Sequence, residues 1–127
     1  MQQKKYADTD FFLALMKNTD WLKEKARQVY EKNKGMIFVS PFTIAEIMIV
    51  CKRENIQIKE TIVQISRIAK LDNFEWEAFF RACDFLEKGA SIFDSLLMAV
   101  CSEEDLIISS DRVYEKFGFN VIDLKRE

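Results

Sequence analysis

The chain contains no histidine. Without imidazole there is no Ser-His or Cys-His relay and no His-ligated zinc. Its three cysteines, Cys51, Cys83 and Cys101, are odd in number and widely spaced, with no CxxC pair among them. They complete no zinc site and read as reduced core residues of a cytosolic protein. Long hydrophobic runs are missing too. Met1-Gln2-Gln3-Lys4-Lys5 leads into a short apolar stretch that Asp8 and Asp10 interrupt, which is neither a secretory signal nor a membrane span. Positive charge is not in excess: 19 Lys and Arg face 21 Asp and Glu, for a net charge of −2. That excludes a protein that coats nucleic acid nonspecifically. It leaves nucleic acid open as a partner, because an acidic catalytic cluster lowers the total while local basic patches survive.

What remains is 127 residues, 49% of them hydrophobic, with eleven phenylalanines, one proline and three glycines. No repeats, linkers or low-complexity tracts divide the chain. A single domain over residues 1–127, able to bury a core without disulfides, is the expectation. A soluble cytoplasmic protein follows from the same features.

Tyr6-Ala7 reads as the end of a first strand and Phe11 to Lys17 as a brief helix. Asp20 is a candidate N-cap for a helix through Lys34, which Gly35 stops. Met36 to Val39 has the continuous apolar character of a strand buried on both faces. Ser40-Pro41 then supplies N-cap chemistry with proline at the first helical position, ahead of Ile44, Ile47, Met48 and Cys51 at helical spacing. Ile58, Ile62, Ile65 and Ala69 mark the next helix, and a short strand is expected near Asn73-Phe74. Phe79, Ala82, Cys83 and Leu86 form another stripe ended by Gly89. Ser91 opens a helix so apolar all round that it should be buried. Leu106 to Ile108 is strand-like, Arg112 to Phe117 helical, and Asn120 to Ile122 a last strand. Strands alternating with helices predict an α/β fold, a three-layer α/β/α sandwich around a central, mostly parallel sheet.

In such sheets functional groups gather beyond the carboxyl ends of the strands. Asp8 ends the first strand, and Asp111 follows the Leu106 strand. Glu46 lies in the first two turns of the helix leaving the Met36 strand, near the same edge at about 1.5 Å rise per residue. The helix carrying Asp94 must run antiparallel to the strand it precedes, so its N-terminus also reaches that edge. All four acids map to one rim. Taken singly, each is equally readable as a cap: Thr43 to Glu46 and Ser91 to Asp94 fit a capping box, and Asp10 and Asp111 are ordinary N-cap candidates. Clustered and partly buried, carboxylates repel one another, and a cation relieves that repulsion. With no histidine the cation would be hard and oxygen-liganded, Mg²⁺ or Mn²⁺. Such a site can activate water for in-line attack on a phosphodiester.

Four blocks, in order, resemble those of the PIN-domain nucleases over nearly the whole chain. Tyr6-Ala7-Asp8-Thr9-Asp10-Phe11 is similar to the family's opening strand and turn. Ser40-Pro41-Phe42-Thr43-Ile44-Ala45-Glu46 resembles its second block. Ser91 to Ala99, with Asp94 five residues before Ala99, resembles the third. Ile107-Ile108-Ser109-Ser110-Asp111 resembles the fourth, with Ser109 where the family usually has threonine. The resemblance implies a metal-dependent endoribonuclease in which Asp8, Glu46, Asp94 and Asp111 are the catalytic, metal-binding acids. It also implies that Thr9 and Ser109 orient them or the water. Many small members are the toxin half of VapBC-type pairs, so an antitoxin partner and a homodimer are implied as well. Asp10 stands where the family has Asn or Ser and adds a fifth carboxylate, and Ser95 replaces the usual alanine.

Arg112 is a candidate phosphate contact by position. Lys23, Arg27 and Lys34 could guide RNA, though Glu24 and Glu31 make the same face an ordinary solvated one. Phe11, Phe12, Trp21, Trp76, Phe79 and Phe80 exceed what one small core needs, so some should form a partner surface. Two rival readings stand beside the nuclease. One keeps the fold as a catalytically weak or silent binding scaffold whose acidic pocket holds a metal weakly or engages a partner's arginine. The other takes Asp8-Thr9-Asp10 as the nucleophile motif of a haloacid-dehalogenase-like phosphatase, but no downstream lysine and acidic pair accompany it.

Overall fold

The computed structural model describes residues 3–17 and 20–125; Met1-Gln2 of the opening segment lie outside it. In chain order the elements are β1 (Lys5–Ala7), α1 (Thr9–Met16), α2 (Lys23–Lys32), β2 (Ile37–Val39), α3 (Pro41–Arg53) and α4 (Ile58–Ile68). They continue with β3 (Lys70–Leu71), α5 (Trp76–Glu87), α6 (Ile92–Val100), β4 (Leu106–Ser109), α7 (Val113–Lys116) and β5 (Asn120–Asp123). The strands form one sheet in the order β3-β2-β1-β4-β5, and every neighbouring pair is parallel.

Side chains alternate across a strand, so each strand serves two layers. Ala7, Ile37, Val39 and Ile108 turn to one face, where Phe11, Phe12, Ala26, Val29, Ile47 and Ile65 from α1 to α4 cover them. Tyr6, Phe38, Ile107 and Val121 turn to the other, against Leu97 and Met98 of α6 and Tyr114 of α7. Helix α5 lies outside α6, joined to it through Ala78, Ala82, Leu96 and Ala99. The three-layer α/β/α sandwich is thus present, with a sheet that is parallel throughout among the described residues.

Several local expectations are corrected. The edge strand is Lys70–Leu71 rather than Asn73-Phe74, because Leu71 pairs with Val39 and Asp72 N–H donates to the Val39 carbonyl at 2.9 Å. Phe74 instead enters an edge-to-face cluster, 4.6 Å from both Phe42 and Phe79. Helix α1 starts at Thr9 with Asp8 as its N-cap, which leaves Asp10 inside the first turn rather than capping it. Asp20 does not cap α2; it closes the turn before it. Ser40 caps α3 by accepting from Phe42 N–H, so Glu46 falls in the second turn, outside any capping box. On α5 the buried positions are Ala78 and Ala82, which rotates Cys83 and Leu86 to the surface. Cys51 is buried and Cys101 half-buried as expected of core residues, whereas Cys83 is exposed; all three are free. Phe11 and Phe12 are buried, while Trp21, Trp76 and Phe80 are exposed. No helix among the described residues is long and apolar enough to cross a membrane.

Candidate active site

The chain winds from β1 outward through β2 to β3, then crosses back to add β4 on the other side of β1. This reversal makes the crevice beyond the carboxyl ends of β1 and β4 the natural binding position in the sheet. Asp8, Thr9 and Asp10 follow β1; Ser110, Asp111 and Arg112 follow β4. All six line one cavity of about 580 Å³, together with Glu46 of α3, Asp94 of α6 and Lys125 just after β5. Ser109, the last residue of β4, is fully buried behind Asp8.

Each acid is held by the protein itself. Asp8 Oδ1 accepts from Thr9 N–H at 2.8 Å, and Oδ2 accepts from the Ser109 hydroxyl at 2.9 Å and the Tyr114 hydroxyl at 2.9 Å. The Tyr114 hydroxyl also lies 3.0 Å from Asp94 Oδ1. Ser91 Oγ accepts from Asp94 N–H at 3.2 Å, completing half of a capping box, but the Asp94 carboxylate turns to Tyr114 instead of back to the helix start. The Thr9 hydroxyl donates to Glu46 Oε1. Asp10 Oδ2 accepts from Ser110 N–H at 2.8 Å and from its hydroxyl, while Oδ1 is buried with no hydrogen-bond partner. Asp111 caps the following turn, Oδ1 accepting from Val113 N–H at 3.0 Å, and its own N–H donates to Ser109 Oγ at 3.0 Å.

No lysine or arginine forms an ion pair with these five acids among the described residues, and the consequence is electrostatic. Burial, then the neighbouring Asp10, pushes the Asp8 carboxyl up to about 7, against the opposing pull of its three hydrogen bonds. Burial likewise raises Asp10 and Glu46 above the ordinary carboxylate range, with Asp94 and Asp10 adding to the effect at Glu46. The Tyr114 phenol is held far above its usual value by burial and by Asp8 and Asp94, so it stays a neutral donor. No three Asp, Glu or Cys side chains among the described residues are grouped so as to hold a metal ion.

Two residues of this site escaped the sequence reading. Tyr114 carried one available signal: a fully buried tyrosine needs a partner for its hydroxyl, but its burial was not evident in a short helix. Lys125 follows the last strand with no motif to mark it.

The PIN domain family model matches residues 5–120. The chain belongs to the PIN-domain family. A match over residues 5–120 sets aside the dehalogenase-like reading. Among solved structures it is similar to a toxin–antitoxin complex from Klebsiella pneumoniae, with TM-score 0.77, 16% identity, and 98% of this chain and 100% of that one covered. It is also similar to VapC20 of Mycobacterium tuberculosis, a sarcin-ricin loop cleaving toxin (TM-score 0.74, 15% identity, 91% and 96% covered). A third is DNA-bound VapBC from Salmonella typhimurium (TM-score 0.70, 15% identity, 97% and 99% covered). At such identities the likeness concerns the fold. Comparison with curated proteins gave no match.

Proposed function

We propose that this PIN domain is a divalent-metal-dependent endoribonuclease that hydrolyses RNA phosphodiester bonds. The observation that carries the reading is the meeting of Asp8, Glu46, Asp94 and Asp111, from four separate stretches of the chain, in one cavity at the sheet's reversal point, with no cationic side chain among the described residues paired to them.

The donor set fits a hard cation. The acids of the cavity offer oxygen ligands alone, three carboxyls are held above their ordinary range, and Asp10 Oδ1 is a buried oxygen without a donor. Asp8, Asp94 and Asp111 would hold Mg²⁺ or Mn²⁺, and Glu46 would ligate it or position the water. When bound, such a cation supplies positive charge against the charge that develops on the phosphate oxygens. The remaining work falls to the chain. Glu46, steadied by Thr9, accepts a proton from the attacking water, and burial raises it above the ordinary carboxylate range, which makes it a stronger base. The water oxygen bonds to phosphorus as the bond to the leaving ribose oxygen breaks, and that oxygen takes its proton from solvent. Tyr114 and Ser109 fix Asp8, Tyr114 fixes Asp94, and Arg112 offers its guanidinium to a phosphate from the cavity wall.

Single Asn or Gln replacements at Asp8, Glu46, Asp94 and Asp111 test this reading, each assayed for Mg²⁺-stimulated cleavage of a labelled RNA. Each should lower kcat by at least about a hundredfold. Unchanged cleavage would overturn the assignment. The RNA specificity rests on family likeness, as does a protein antitoxin partner, a role that the toxin–antitoxin complexes of similar fold support. A homodimer belongs to the same proposal, with sedimentation of the purified chain as its test.

One observation favours a second reading, the binding scaffold: every acid is engaged by a protein donor, although Asp10 Oδ1 is left without one, and no three of them among the described residues form a ready group around an ion. Titrating Mn²⁺ while following thermal unfolding separates the two, since a cation that binds the folded state alone raises Tm.

A further inference from the structure

A second cavity, of about 510 Å³, adjoins the acidic one and shares Lys125 with it. Trp21, Lys25, Gln28 and Leu124 line it, along with Glu24. We propose that this cavity is a stacking shelf for a base of single-stranded RNA, with Trp21 as the platform and Lys25 and Lys125 as phosphate contacts. This inference rests on the nuclease reading, because it describes how a strand enters the acidic cavity.

Trp21 is 75% exposed, an unusual state for an indole, and the backbone holds it there. Asp20 closes a turn around it: its carbonyl accepts from Lys23 N–H at 3.1 Å, and its Oδ1 accepts from Leu22 N–H at 2.9 Å. Leu22 is buried and anchors the turn, so Trp21 stands at the apex with its ring in water. Trp76, also exposed, instead packs 5.7 Å from Phe79; no ring–ring contact involves Trp21 among the described residues. An open aromatic face is what a nucleobase stacks upon.

Lys125 links the shelf to the acids. Leu124 is buried, and its N–H donates to the Ser109 carbonyl at 3.1 Å. Ser109 is the residue whose hydroxyl holds Asp8. Lys125 is therefore tied to the strand that positions the acids, and it lines both the base shelf and the acid pocket. Neither Lys25 nor Lys125 is in an ion pair among the described residues. Lys23 does not contribute, because its ammonium is bonded to the carbonyls of Leu15 and Lys17. Bases of a duplex are already stacked on one another, so the shelf selects single strands.

The test uses the full chain with Trp76→Phe, leaving Trp21 as the sole indole, and a short oligouridine in chelator so that nothing is cleaved. Saturable quenching of Trp21 is expected. Trp21→Ala should weaken binding of a labelled oligouridine, followed by anisotropy, at least about fivefold. Lys125→Ala should flatten the dependence of log affinity on log salt by about 0.7. Binding without quenching, or binding untouched by Trp21→Ala, overturns the shelf. So does an emission shift that follows protein dilution and ignores RNA, which would mark a self-association surface. Mg²⁺-dependent cleavage, measured alongside, keeps the two ideas apart. Cleavage with unchanged KM in Trp21→Ala rejects the shelf and leaves the nuclease standing. Quenching by an oligouridine that the wild-type chain never cleaves rejects the nuclease and leaves the shelf.

Discussion

The Tyr114 hydroxyl reaches Asp94 Oδ1 at 3.0 Å while its other side meets Asp8 Oδ2 at 2.9 Å. A phenol has one proton to donate, so it joins both acids only when one of them is protonated, a state that the raised Asp8 carboxyl favours. Tyr114→Phe keeps the buried ring and deletes only this bridge. The cation-free variant should lose about 1 to 3 kcal/mol of stability in urea unfolding. In combination with Asp94→Asn the losses should be strongly non-additive. Additive losses would mean that the hydroxyl does not act on Asp94.

Thr9→Val tests the support beneath Glu46. The replacement is nearly isosteric and leaves helix α1 its Asp8 cap, but removes the hydroxyl that donates to Glu46 Oε1. If Glu46 positions or deprotonates the water, kcat for RNA cleavage should fall roughly tenfold or more, with KM little changed. A shift in KM alone would assign Thr9 to substrate binding.

The acids that the sequence marks are strand-end residues, and the parallel order of the sheet forces strand ends together. That is why the sequence alone places Asp8 and Asp111 on this rim. Glu46 and Asp94 followed because the helices leaving β2 and entering β4 have only one way to run. The partners were not legible. Tyr114 sits in a four-residue helix with no periodic signal, and its reach to Asp94 depends on how α6 packs over α7. Asn73-Phe74 misled as a strand because Phe74 gains more from the Phe42 and Phe79 rings than from the sheet edge. Cys83 misled because the burial of α5 is set by two alanines against α6 rather than by its larger side chains.

Lys23 was readable from sequence as an RNA contact, and its observed bonds assign it elsewhere. Its ammonium donates to the Leu15 carbonyl at 2.9 Å and the Lys17 carbonyl at 3.3 Å, closing the end of α1. Lys23→Met should therefore cost about 1 to 2 kcal/mol of stability and leave the salt dependence of oligouridine binding as it is. A flattened salt dependence with unchanged stability would return Lys23 to the RNA surface.

The raised carboxyls give the cation-free protein an unusual pH profile. Asp8 binds its proton up to about 7 in the folded chain, against an ordinary value of 3.8. Between those limits the folded state holds more protons than the unfolded state, so stability falls as pH rises. The contribution is fully present below the ordinary value and is lost once the pH passes about 7. Asp10 and Glu46 are raised by burial as well and act in the same direction. Urea unfolding in chelator should show a midpoint that declines steadily across this window, the reverse of a protein whose carboxylates are salt-bridged. Asp8→Asn removes the largest contributor and should flatten the slope. Mn²⁺ should steepen the contrast, because cation and proton compete for the same oxygens. Its stabilising effect should be weak in acid and grow as the pH approaches and passes 7. A midpoint that rises with pH in chelator would show instead that the acids are ionised and compensated within the fold, and that no cation is needed there.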